Sequence, residues 1–395
     1  MAVLFTSRGV KCTILTTPAN AAVIRSAVDR ANAANAAPVI DISTVPFPNV
    51  GLPSGVASEA SLTPSLQTAS IPGHATPPRS TVSRGCRSSA PACSPTPAHT
   101  PCFASRHNPL SDAPDDAVVA LPGLPDRVAL RRSQLLDPAK PSHRLEWAFC
   151  ELVDAADSRS YGEVYNSFAD LEPGCVDHYR AALGRRVWLV GPLAHARTED
   201  VAGGGLELAC GLQLSGKNFL WVMDGEDTDA SSQWMPKGFT DLTAAGERGL
   251  IFQGWAPQTR ILNHSTVGAF VTHCGWNSAL EAVSAGVPLV TWRRYVDQFY
   301  NEMLIIELLK VGVSLGSVEY ASKLEVRDNV ISGETIAETI GEAMGDDEGA
   351  EQRRVKAKEL GAKAKRATEK GGSTYEDVGR LIQELIARRS SVVPA

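Results

Sequence analysis

Apolar residues in this chain come as short β-branched runs separated by longer stretches with helical spacing. Val10–Thr16 (VKCTILT) reads as a buried strand, Pro18–Ala34 follows with helical composition, and Val39–Ile42 reads as another short strand. The alternation resumes after Ala117. Tyr161–Phe168, Val187–Gly191, Asn218–Met223, Leu250–Gln253 and Ala269–His273 read as strands. Ser278–Ala285, Gln298–Lys310, Thr335–Met344 and Ala350–Lys370 carry helical patterns. Strand and helix in repeated alternation predict an α/β fold with parallel, doubly wound sheets. Val378, Leu381, Ile382 and Leu385 share one face of a helix over Tyr375–Ile386, so this tail is expected to pack against a domain.

Between these regions the pattern stops. Residues 61–105 hold nine Ser and eight Pro, and no Asp or Glu occurs from Ala60 to Ser111. A segment with so few apolar residues cannot bury enough surface to offset its ordering entropy, and disorder is expected across 60–111. It reads either as a flexible linker or as the product of a coding disruption that replaced part of a domain.

The 395 residues suffice for two domains with separate cores. A net charge of −6 argues against a nucleic-acid partner, which would call for a clustered basic surface. No run approaches the ~20 apolar residues of a membrane span. Arg8 and Lys11 interrupt Met1–Leu15 where a signal peptide has an unbroken apolar core. Of the eight cysteines, Cys12, Cys150, Cys175, Cys210 and Cys274 are scattered singly, as in reduced intracellular proteins. Cys86, Cys93 and Cys102 cluster near His99, but their spacing matches no metal motif. The expected compartment is the cytosol. Gly211–Lys217 matches most of a phosphate-binding loop, yet Asn218 follows where Ser or Thr is needed, and the segment precedes a strand instead of a helix.

Candidate chemistry concentrates in Trp255–Gln298. Ala269–His273 is a strand that turns through Cys274 and Gly275 into a helix opening at Trp276. Such a turn presents backbone N–H groups and the positive end of the helix dipole, an arrangement suited to a diphosphate. Asn277 and Ser278 add side-chain donors, and His273 stands at the carboxyl end of the strand, where ligands bind in open α/β sheets. Glu281 lies one helical turn after Asn277, where a carboxylate can accept from ribose hydroxyls. Asp297 and Gln298 form a polar pair at the next strand-to-helix junction, suited to vicinal sugar hydroxyls, and Trp255 offers a flat face for a uracil. Taken singly, Trp255 or Trp276 is more often a core aromatic, His273 a structural histidine and Asp297 a helix cap. Their joint spacing carries the argument.

The stretch WAPQTRILNHSTVGAFVTHCGWNSALEAVSAGVPLVTWRRYVDQ resembles the signature of plant secondary-product UDP-glycosyltransferases. The likeness continues in Arg8–Ala19, Thr44–Ala57, Leu121–Leu136, Tyr161–Leu193, Leu206–Trp221 and Gly371–Leu385. It implies a GT-B architecture of two Rossmann-like domains facing a cleft. Residues 1–193 would form an incomplete acceptor-side domain, 194–370 the donor domain, and 371–395 a C-terminal helix and tail. By the same resemblance Trp255 stacks on uracil and the Ala256 backbone hydrogen-bonds it, while Gln258 and Glu281 hold the ribose. His273, Asn277 and Ser278 bind the diphosphate, and Trp276, Asp297 and Gln298 hold the transferred sugar. A closing Gln accompanies glucose in this family, so UDP-glucose is the expected donor. A small hydroxylated metabolite, a flavonoid or terpenoid, is the expected acceptor. No metal or other cofactor is implied, and a monomer is expected. Arg293 stands where the family usually has Pro.

Two family features are not found. Members deprotonate the acceptor with a His after the first N-terminal strand, oriented by an Asp; here no His precedes His74, and the Asp would fall near the acid-free segment. His74, His99 and His107 lie in no comparable pattern, so no catalytic base is identified. Near Gly203–Leu206 the first strand of the donor domain and its Ser-Phe-Gly turn are also missing, which predicts exposed strand edges. Two expectations follow: a glycosyltransferase, or a relic that at most binds UDP or UDP-sugar.

Overall fold

Where a helical stretch joins two neighbouring β-branched runs, the two pair in parallel, as a strand–helix–strand crossover requires. The computed structural model describes residues 2–34, 39–45, 114–120, 129–135, 140–144, 147–148, 161–172, 186–193, 205–223, 248–293, 297–316 and 331–392, with isolated positions at 176–184 and 239. The Ser/Pro-rich segment, with Cys86, Cys93, Cys102, His74, His99 and His107, lies outside the described residues.

In chain order the first half contains α1 (Ala2–Thr6), β1 (Cys12–Thr16), α2 (Pro18–Ala34), β2 (Ile40–Thr44), β3 (Val118–Ala120), β4 (Ala129–Arg131), β5 (Glu163–Tyr165) and β6 (Val187–Leu189). The second half contains α3 (Gly205–Ser215), β7 (Phe219–Met223), β8 (Gly249–Gln253), α4 (Gln258–Leu262), β9 (Phe270–Thr272), α5 (Trp276–Ala285), β10 (Leu289–Thr291) and α6 (Gln298–Met303). Then come β11 (Gly312–Ser314), α7 (Gly333–Ala343), α8 (Glu348–Thr368) and α9 (Ser373–Val392). The expected strands and helices are therefore present, mostly shorter by a few residues at the strands. The helix expected over Gln298–Lys310 instead widens after Met303 into a π turn, Leu304–Leu308, closed by Leu309 N–H to the Leu304 carbonyl at 2.8 Å. The antiparallel pair β3–β4 was not anticipated.

Pairing in the second half is divided. β7 pairs with β8, and β9, β10 and β11 form a separate parallel sheet with β10 in the middle. Both sheets nevertheless pack on one apolar cluster. Leu208 and Leu212 of α3, Ile336 and Ile340 of α7, and Val290, Trp292 and Val313 form it, with Phe219, Trp221, Ile251 and Val271 packed around them. Among the described residues, no backbone ladder joins the two pieces, so this half has four strand edges where a continuous sheet would have two. Side chains alternate along β7 and β8, so Phe219, Trp221 and Ile251 reach the cluster while Leu220, Leu250 and Phe252 point away. Those three are 42%, 59% and 42% exposed, an apolar face that parallel sheets normally bury.

The helix α8 lies across α5. Gly286 ends α5 with φ +72°, a left-handed cap that a side chain would strain, and a Cβ at Gly361 of α8 would come within 2.9 Å of the Gly286 nitrogen. Glycine at both positions lets the helices touch backbone to backbone. The chain then returns to the first half through α9. Val378 and Leu381 are buried against Val164, Trp188 and Val190, with Ile382 and Leu385 at the margin, as the tail's one-sided pattern predicts. Each such burial contributes roughly 1.5–3 kcal/mol. Polar contacts fix the register: the Asp377 carboxylate accepts from Leu189 N–H at 2.9 Å, and the Arg8 guanidinium sits 3.7 Å over the Tyr375 ring.

If the outer face of β7–β8 is open, Leu250→Ser and Phe252→Ser leave stability within about 0.5 kcal/mol and raise soluble yield. Chemical denaturation checks this, and a loss of several kcal/mol would mean that the face is covered.

Candidate functional site

The turn between β9 and α5 is tightly specified. Cys274 takes a left-handed conformation, φ +66°, rare for a residue with a side chain, and its N–H bonds the Thr272 hydroxyl at 3.3 Å. Gly275 is the extended N-cap of α5, and no side chain caps this end. The helical ladder begins with Ala279 N–H to the Gly275 carbonyl at 2.9 Å, so the amides of Trp276, Asn277 and Ser278 stand at the open end. His273 is 5% exposed, and its imidazole lies against Gly275, where any Cβ would collide with Nε2 and approach Cδ2 and Cε1 at 3.3 Å. A side chain at 275 would therefore have to displace the packed histidine, although the extended backbone there (φ −60°, ψ 145°) is open to any residue. Ser278 is buried at the same end and Asn277 half-buried.

One turn along α5, the Glu281 carboxylate accepts from Gln258 Nε2 at 2.9 Å. The two residues read as ribose-binding thus meet, although 23 positions separate them. Gln258 opens α4, and its N–H bonds the Ala256 carbonyl at 2.8 Å. Ala256 is buried, whereas Trp255, just after the positive-φ Gly254, is 58% exposed, leaving much of the indole uncovered.

Asp297 is the N-cap of α6, yet its carboxylate caps no amide of that helix. Its Oδ2 accepts from Asn301 Nδ2 at 2.9 Å, and the same amide donates to the Cys274 carbonyl at 3.0 Å. Gln298 is buried beside it. Beneath lies a charged cluster that sequence reading missed. The Glu302 carboxylate accepts from the Thr291 hydroxyl at 2.6 Å, from the Ser314 hydroxyl at 2.8 Å, and from Arg293 at 2.5 Å. Arg293, the residue in place of the family's Pro, is thus turned inward, with its guanidinium 4.9 Å from the Phe299 ring centroid. Burial raises the Glu302 carboxyl above its ordinary range, opposed by Arg293 and the two hydroxyls, and burial lowers the Arg293 guanidinium. Burial, followed by the charges of Glu302 and Asp297, holds the Cys274 thiol well above its usual value, so it is no nucleophile at neutral pH.

Trp276 reaches across the molecule. The indole is buried and donates from Nε1 to the Asn166 carbonyl at 2.7 Å, joining the two halves of the molecule. The Asn166 side chain in turn bonds both backbone groups of Leu193, at 3.1 and 2.7 Å. Among the described residues, no group of three or more His, Cys, Asp or Glu side chains is placed to hold a metal ion.

The family model described as UDP-glucoronosyl and UDP-glucosyl transferase matches residues 177–324, which include the whole of this site. A UDP-glucose flavonoid 3-O-glucosyltransferase from Fragaria ananassa is 38% identical over 328 residues, or 71% of this chain and 65% of the relative. The chain thus spans just under two thirds of that relative's length. A scopoletin glucosyltransferase from Nicotiana tabacum is 34% identical over 465 positions, covering 98% of this chain and 94% of the relative. That alignment is longer than the chain, so the relative carries segments that this chain lacks. A crystal structure of Glycyrrhiza uralensis UGT73P12 with glycyrrhetinic acid 3-O-monoglucuronide superposes with a TM-score of 0.79 at 27% identity, over 98% of this chain and 92% of that one. The chain belongs to the family of plant UDP-dependent glycosyltransferases, and its α/β fold is of the GT-B type.

Two substitutions test this geometry. Gly275→Ala drives the His273 ring from its place and costs about 1–3 kcal/mol in urea unfolding. Glu302→Gln leaves a guanidinium only 13% exposed without its counter-ion and costs about 3 kcal/mol in urea unfolding. The double change Arg293→Leu, Glu302→Leu regains most of that loss.

Proposed function

We propose that this protein binds UDP-glucose and transfers the glucose, with inversion, to a hydroxyl of a small plant metabolite of the flavonoid or terpenoid class. The observation that carries the reading is the Gln258–Glu281 contact beside the open end of α5, because it joins a ribose-binding pair to an anion-binding helix end. In this reading Trp255 stacks on the uracil and the Ala256 backbone bonds its edge. Gln258 and Glu281 take the ribose hydroxyls. His273, Asn277 and Ser278, with the α5 amides, neutralise the diphosphate as it becomes the leaving group. The Trp276 amide, Asp297 and Gln298 hold the sugar. The helix end and these donors supply the charge stabilisation, and we assign no metal and no cofactor besides the donor substrate. We place the protein in the cytosol as a monomer. No helix among the described residues is long and apolar enough to cross a membrane.

A second reading, donor binding without turnover, is favoured by a specific observation. Among the described residues before position 194, no solvent-exposed histidine is found: the one described, His143, is 2% exposed. The loss of a general base lowers rates about 10²–10⁴-fold. UDP release from UDP-glucose with a panel of flavonols, measured beside UDP binding, separates the two. Turnover that His273→Ala abolishes supports transfer, and binding without turnover supports the second reading. In both, Glu281→Ala weakens UDP binding roughly 10-fold or more, the expectation for hydrogen bonds to a charged group. Unchanged UDP affinity in that variant would refute the donor site itself.

A further inference from the structure

The donor-site reading leaves unexplained a polar side chain at its centre. Asn301, in the second turn of α6, is fully buried. Its Nδ2 donates to two acceptors on different elements, the Cys274 carbonyl at 3.0 Å and Asp297 Oδ2 at 2.9 Å. Since both partners only accept, the amide cannot be turned over without losing both bonds. In this orientation no donor among the described residues reaches its Oδ1, which is buried. The two donated bonds hold the amide in place, while its buried Oδ1 is an unmet acceptor that an apolar packing residue would not carry.

We infer that Asn301 is a positioning residue that locks the diphosphate turn and the sugar-binding carboxylate in one geometry; this rests on the donor-site reading. Two consequences of its bonds carry the inference. The Cys274–Gly275 peptide is planar and trans, so holding the Cys274 carbonyl toward Asn301 aims the Gly275 N–H to the opposite side. That N–H belongs to the same turn as the free amides of α5. Meanwhile Asp297 has one oxygen anchored by Nδ2, which fixes the orientation of the carboxylate that the donor-site reading assigns to the sugar. The ligand class that engages both ends at once is a nucleoside diphosphate sugar. A free nucleoside diphosphate engages one end.

The test compares UDP with UDP-glucose by titration calorimetry on the full chain. The readout is the ratio of the Kd for UDP to the Kd for UDP-glucose, in wild type, Asn301→Leu, Asn301→Asp, Asp297→Ala and the double variant Asn301→Leu, Asp297→Ala. The inference expects the ratio to fall about tenfold in Asn301→Leu, to the level of Asp297→Ala, with no further fall in the double variant. Asn301→Asp keeps the size but sets a second carboxylate against Asp297, and it lowers the ratio even if the leucine variant does not fold. If both affinities weaken in parallel and the ratio holds, Asn301 is merely structural and the inference is overturned. Additive losses in the double variant overturn it as well. If wild-type protein binds neither nucleotide, the donor-site reading fails first, an outcome distinct from the others.

Discussion

A strand that must become a helix within three residues leaves little freedom to the side chains around it, and the rest of this site depends on that turn. Cys274 is held left-handed, and Gly275 has no room for a side chain because the His273 ring is packed on it. The backbone conformation costs energy for a residue with a Cβ. It persists because it is held from several sides: Thr272 takes the Cys274 N–H, Asn301 takes its carbonyl, and the indole of Trp276 ties the start of α5 to Asn166 across the molecule. The turn is thereby part of the hydrophobic core, and the amides at the head of α5 do not need to be ordered by a ligand.

The carboxylates around the turn have different kinds of partner. Glu302 and Arg293 neutralise one another below the site, and the hydroxyls of Thr291 and Ser314 take up the remaining carboxylate capacity. An arginine in the position of the family's proline thus adds no open cation beside Asp297. Its side chain stiffens the segment through Phe299 and Glu302. Glu281 and Asp297 are each met by an amide donor, which orients the carboxylate.

Much of this was legible in the sequence, for physical reasons that differ by residue. The strands were readable because β-branched runs bounded by Gly and Pro have few alternatives, and α5 because Gly275 and Gly286 mark its ends. The meeting of Gln258 and Glu281 followed from the family signature, not from periodicity. The three-residue strands β3 and β4 pair through too few residues to leave an alternating pattern. Hydropathy could not show that the Trp276 indole would bond Asn166, since that contact spans 110 positions. Asn301 could have been found, because it follows Asp297 by one helical turn and so shares its face. The inward course of Arg293 depended on a partner, Glu302, whose burial no local pattern discloses.

The divided sheet has a consequence for how a nucleotide would be held. β8 leads directly into Gly254 and Trp255, whereas β9 leads into His273 and the head of α5. Among the described residues, Trp255 and the head of α5 are therefore carried by separate hydrogen-bonded sheets that side-chain packing joins. Without a shared ladder, β7–β8 can open as its own cooperative unit. Only the fraction of molecules with both pieces in register is competent for the whole ligand, and affinity falls by that fraction. A bound nucleotide would act as the missing crosspiece, so occupancy and the integrity of this half become one equilibrium.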